Sequence, residues 1–191
     1  MRLDKPRLEP LGKADWSEEV RQTFDKNGDR DENDVFNIFK TLAHHPKLMK
    51  RWMPFANHIL FKSTLSPRDR EILILRIGWL CKAEYEWAQH VVIGKEAGLD
   101  DADIKAIAEG PGSPHWGDKD RLLLQATDEL RADAFVSDPT WNALAEHYST
   151  QQLMDLVFTV ANYNLVSMVL NSLGVQLDDG LEGFEATVGK V

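Results

Sequence analysis

Apolar residues recur at spacings of three and four along most of the chain, and the two-residue alternation of half-buried strands does not recur, so the pattern predicts an all-α protein. Ser17 reads as the N-cap of a first helix carrying Val20 and Phe24, with Glu18 and Glu19 near its positive end and a stop around Asn27 and Gly28. The acidic run from Asp29 to Asp34 reads as a solvated loop, followed by Val35, Phe36, Phe39 and Leu42 at helical spacing. Pro46 restarts a helix to about Phe61, which Pro54 should kink or split. S-P-R-D-R-E at Ser66 to Glu71 is an N-cap with proline at the first helical position, and Ile72 to Leu80 is apolar on nearly every side. This is the expected central helix.

A second helix is expected from about Ala83 to Ala97 with Gly98 just past its end, then a short one capped by Asp100 and Asp103 and closed by Gly110. Pro111 to Gly117 is a loop by composition. Leu122, Leu123, Ala126 and Leu130 mark the next helix, and Ser137, Asp138 and Pro139 open another through Trp141, Leu144 and Ala145. The last runs from Gln151 to about Leu173 and stops at Gly174, its face of Leu156, Val160, Tyr163 and Val166 predicted to be buried. The organisation is an N-terminal arm (1–15), one helical domain (16–175) and a glycine-rich tail (176–191) with no structure of its own, expected against a neighbouring subunit.

Composition narrows the classes of partner. With 191 residues, 43% hydrophobic and 28% charged, the chain can bury a core as one domain or two closely packed halves. Lys plus Arg is 22 against 31 Asp plus Glu, and the resulting net charge of −9 opposes a phosphate backbone, so no nucleic-acid partner is expected. The single cysteine, Cys81, follows W-L in a buried context and reads as core, which suits a reducing cytoplasm. The N-terminus lacks the apolar run of a secretory signal, and Ile72 to Cys81, interrupted by Arg76, is about half the length that crosses a bilayer; no membrane partner is expected.

The candidate chemistry lies in K-A-E-Y-E-W-A-Q-H, Lys82 to His90, where Glu86 and His90 are four apart and share a helix face. A carboxylate and an imidazole in reach of each other can relay a proton. Glu71, at the head of the apolar helix, can be drawn under the domain, where burial would raise its pKa, or it can pair with Arg68 or Arg76. If the two helices pack, Glu71, Glu86 and His90 form an acid/base set with one carboxyl protonated near neutrality. Trp79, Tyr85 and Trp87 are candidate walls of a substrate pocket, or core aromatics. His44 and His45 point apart and lack a carboxylate at ligand spacing, so no metal site is expected; His115 in its loop reads as a surface residue or a gate.

L-S-P-R-D-R-E-I-L-I-L-R at Leu65 to Arg76 followed by E-Y-E-W-A-Q-H at Glu84 to His90, with G-K-E-A-G-L, T-D-E-L and V-A-N-Y-N-L-V further on, resembles the carboxymuconolactone decarboxylase family. The resemblance implies the all-helical alkylhydroperoxidase D-like fold with a central antiparallel helix hairpin. It places the family's histidine at His90, its assisting glutamate at Glu71, and the two cysteines of C-x-x-C-x-x-x-H at Ala83 and Glu86. The thiol pair is therefore missing. What remains is similar to the decarboxylase branch, which implies a cofactor-free lyase or isomerase working by proton transfer on a small carboxylated lactone or related aromatic-degradation product. A non-catalytic binding or sensor protein on the same fold is the alternative, and a thiol peroxidase a more distant one. The resemblance also implies a homo-oligomer, a dimer or a trimer of dimers.

Overall fold

The computed structural model describes residues 1–26 and 28–189, and every regular element among them is helical. In chain order the α-helices are α1 (Glu18–Phe24), α2 (Asn37–Leu42), α3 (Pro46–Phe61), α4 (Pro67–Leu80), α5 (Glu84–Glu96), α6 (Asp101–Glu109), α7 (Asp118–Asp133), α8 (Asp138–Ala145), α9 (Thr150–Leu173) and α10 (Phe184–Val188). Short 3₁₀ turns lie at Lys13–Asp15 and, within the acidic run, at Glu32–Asp34.

The local signals produce these starts directly. The Ser66 hydroxyl accepts from Asp69 N with Pro67 at the first helical position, and reciprocal capping boxes open α6 at Asp100 and α9 at Ser149. α1 stops at Phe24, earlier than expected; Asn27 lies outside the described residues. α3 continues through Pro54 as one helix. Lys50 and Pro54 are both exposed, so the carbonyl that loses its donor faces water.

α4 is the centre. From Glu71 to Gly78 all its residues are buried, against α5, α6, α7 and α9. A three-residue turn, Cys81 to Ala83, reverses the chain into α5, with Lys82 in the left-handed region at φ 51°. Gly94 sets the closeness of the hairpin: a Cβ there would stand 3.0 Å from Leu99 Cδ1 and 3.2 Å from Leu75 Cδ1.

Both chain ends fold onto this domain. Arg7 N donates to Leu173 O at 2.8 Å, and Gly174 closes α9 at φ 71°, where a Cβ would press on Leu3 and the Lys5 carbonyl. The tail, expected to lack structure and to lie on another subunit, instead packs on its own chain. Asp178 accepts from Tyr85 and Gln89, and α10 sets Phe184 against Trp79 and Trp87; residues 190 and 191 lie outside the described residues. One large aromatic anchor offsets the cost of ordering a glycine-rich segment. α9 is long and apolar enough to cross a membrane by length and composition alone, but half of its most apolar window is buried in this domain.

Candidate active site

The hairpin brings the expected acid/base set together inside the domain. Glu71 sits one turn into α4, where the Ser66 cap and Pro67 direct the first turn; Glu86 and His90 are one turn apart on α5. His90 Nδ1 lies 2.6 Å from Glu71 Oε2, and His90 Nε2 lies 3.0 Å from Glu86 Oε1. Arg70 Nε donates to Glu71 Oε1 at 2.9 Å. The result is an alternating row, Arg70, Glu71, His90, Glu86, in which Glu71 is 0%, Glu86 4% and His90 5% exposed.

This arrangement reverses the expected direction of the Glu71 pKa. Burial alone would raise it, but the charges and hydrogen bonds of His90 and Arg70 outweigh burial and hold it below the usual carboxylate range. Burial alone would likewise depress His90; the flanking Glu71 and Glu86 overcome this and push it up to about 10. The buried proton therefore resides on the imidazole between the carboxylates, in place of the protonated carboxyl expected from the sequence. Neither Arg68 nor Arg76 is Glu71's partner: Arg68 meets Asp103 and Asp120, and Arg76 meets Asp128.

The carboxylates are held unequally. Glu71 has a cation on each oxygen, whereas no hydrogen bond or ion pair other than that to His90 ties Glu86 among the described residues. Tyr163, from the middle of α9, packs its ring on His90 with centroids 4.9 Å apart and planes at 84°. Tyr85 and Tyr148 give their phenols to Asp178 and Asp69, but the Tyr163 hydroxyl has no hydrogen-bond partner among the described residues. Burial, then the charges of Glu86 and Glu71, raise its pKa well above the usual phenol value, so it remains a proton donor.

The other candidate residues lie elsewhere. Trp79 and Trp87 stack with Phe184, Trp87 Nε1 donates to Thr187 at 2.8 Å, and Tyr85 faces Asp178, so these three rings are core and tail anchors away from His90. The aromatic beside His90 is Tyr163. Sequence reasoning had placed it only on a buried face, because its partner helix is 73 residues away and no spacing rule reaches that far. Arg70 was missed for the opposite reason, since adjacent helix residues ordinarily diverge. His115 bonds Asp103 at 2.7 Å, His44 meets the Glu9 carbonyl, and Cys81 is buried with Sγ donating to Asn164 Oδ1.

Residues 46–129, which carry Glu71, Glu86 and His90, match the carboxymuconolactone decarboxylase family. The chain's fold is alkylhydroperoxidase D-like. An uncharacterized peroxidase-related protein from Ralstonia eutropha JMP134, described as an alkylhydroperoxidase AhpD core, superposes with TM-score 0.77 at 20% identity, over 91% of this chain and 93% of that one. A peroxidase-related protein from Silicibacter sp. TM1040 gives 0.70 at 17% identity, over 99% and 94%. The debrominase Bmp8, bound to 2,3,4-tribromopyrrole, gives 0.71 at 15% identity, over 92% and 94%. No curated protein matches the chain.

Proposed function

We propose that this protein is a cofactor-independent enzyme of lyase or isomerase type that moves a proton on a small carboxylated lactone or a related product of aromatic breakdown. The observation that carries the reading is the buried imidazolium between Glu71 and Glu86. Glu71, fixed by Arg70, orients the ring through Nδ1; Glu86, held among the described residues by His90 alone, is the group that yields to an incoming carboxylate or enolate at Nε2. If the reaction is decarboxylation, the carbon–carbon bond to the carboxylate breaks, carbon dioxide leaves, and the electron pair remains as an enolate. That carbon takes the Nε2 proton, which solvent replaces. Tyr163 supplies a donor for the enolate oxygen, where a preplaced hydrogen bond acts on developing charge.

A thiol peroxidase needs two cysteines at positions filled by Ala83 and Glu86, and burial pushes the lone Cys81 thiol up, away from its reactive form. Binding without turnover is the second reading, favoured by one observation: both ring nitrogens of His90 are engaged. Incubation with carboxylated lactones and oxo acids in deuterated water, followed by proton NMR, separates them. Turnover should appear as lost carboxylate or deuterium at the reacting carbon, and His90→Ala should remove most of it. Saturable binding with neither change would establish the second reading. Wild-type turnover in His90→Ala, Glu71→Gln and Glu86→Gln alike would place the chemistry elsewhere.

A further inference from the structure

The charged row on the hairpin is balanced. Arg70 and the His90 imidazolium supply two positive charges, Glu71 and Glu86 two negative ones, and Glu71, Glu86 and His90 are buried. Such a row accepts a further charge only if another is removed, because an unpaired ion away from water is strongly disfavoured. Glu86 is where the balance can change. On its own helix it meets His90 Nε2 at 3.0 Å. On α4 its stem lies over Gly78, where a Cβ would stand 3.6 Å from its Cγ, and Glu71 and Arg70 lie beyond the imidazole. On α9 its charge acts on Tyr163, whose hydroxyl gives it no hydrogen bond among the described residues. No second cation ties it among those residues.

When a carboxylate ligand takes Nε2, Glu86 loses its cation while a new anion arrives beside it. Two carboxylates brought together do not both stay ionised; the pair holds a proton. We infer that binding of a carboxylate ligand at His90 takes up one proton from solvent, which Glu86 receives on the oxygen released by the imidazole. The charge sum of the row is then unchanged, the ligand's carboxylate standing in for that of Glu86. The new O–H donates to the ligand's carboxylate, whose other oxygen accepts from Nε2, so the displaced acid becomes part of the ligand's seat. The inference rests on the reading of Nε2 as the place of the substrate's carboxylate, but not on turnover. It also assigns a selectivity: a neutral lactone displaces no charge and needs no proton, so acid and neutral ligands diverge in affinity as pH rises.

Isothermal titration calorimetry with γ-carboxy-γ-butyrolactone, near neutral pH in phosphate, Hepes and Tris, reads the proton count from how the heat varies with the ionisation heat of the buffer. About one proton should be taken up per ligand bound, with affinity falling about tenfold per pH unit between about pH 6.5 and 8.5. That window lies below the pH of about 10 at which His90 loses its charge. Glu86→Gln removes the titrating group and should bind the same ligand with neither uptake nor slope. γ-Butyrolactone, which lacks the carboxylate, should show no uptake with either protein. A native protein that binds the acid without uptake, its Glu86 leaving ionised for solvent, would overturn the inference while the proposed reaction stands. Uptake that persists in Glu86→Gln would overturn it too; should that variant fail to fold, the native count decides alone. Failure of the native protein and the variant alike to bind the acid would overturn the placing of the carboxylate at Nε2, and this inference with it.

Discussion

Two buried cations on the central hairpin, Arg76 and His90, look alike in burial and differ in how they are tied. Arg76 spends its donors on fixed structure: Nε and Nη2 grip both oxygens of Asp128 at 2.7 and 2.8 Å, and Nη1 reaches the carbonyls of Ile107 and Ala108, each at 2.9 Å. It fastens α4 to α7 and to the end of α6, and nothing in the group is left to move. His90 is also saturated, yet among the described residues one of its two carboxylates is tied to nothing else. A fully cross-tied ion pair serves architecture, whereas a chain of charges with one loose end can exchange that end for a ligand.

The largest expected effect breaks the His90 side of this comparison. His90→Ala should lower turnover by about 10²–10⁴, the usual worth of a general acid/base, while helicity by circular dichroism is retained. Arg76→Leu should do the reverse, costing about 3 kcal/mol in urea unfolding with unchanged turnover per folded molecule. It abandons two helix-end carbonyls and Asp128; because that carboxylate is about a third exposed, the lower end of the range for a broken buried pair applies. A finer distinction lies between the acids. Glu71→Gln should lower the denaturation midpoint more than Glu86→Gln, since it weakens contacts to two cations instead of one.

A further expected effect is one of pH. With its folded pKa raised to about 10 from 6.5, His90 contributes stability that is fully present below about pH 6.5 and lost as pH rises through about 10. Glu71, lowered from 4.5, contributes stability present above that value and lost as pH falls through its folded value. Imidazole nitrogen NMR shifts should accordingly report a cationic ring at pH 8; a neutral ring there would mean that the carboxylates do not hold it.

Most of the helical frame was legible because its signals are local. Ser66 with Pro67, Asp100 with Asp103, and Gly98 and Gly174 each act within one turn of the boundary they set. The Glu86–His90 pair was legible for the same reason, and Glu71 stood out as the carboxylate at the head of the apolar helix, a place that the resemblance also gave it. Three features were not local and were misjudged. Which arginine meets Glu71 depends on side-chain directions at the first turn of α4; Tyr163 reaches His90 only through packing; α10 exists because Phe184 finds Trp79 and Trp87 about 100 residues earlier. Of the two outcomes expected at Pro54, a kink or a split, the split does not occur, because an exposed helix face tolerates the missing donor.

The left-handed Lys82 has a consequence for how such a site can change over generations. The three-residue link between α4 and α5 sets where α5 begins against α4, so an insertion or deletion of one residue there would shift the register between the two helices. His90 would then leave Glu71 even though every side chain in the row was preserved. Substitutions within the row leave that geometry in place, whereas a change in the length of the link does not. The chemistry of this hairpin can thus be altered by exchanging side chains at fixed positions, with the spacing held constant.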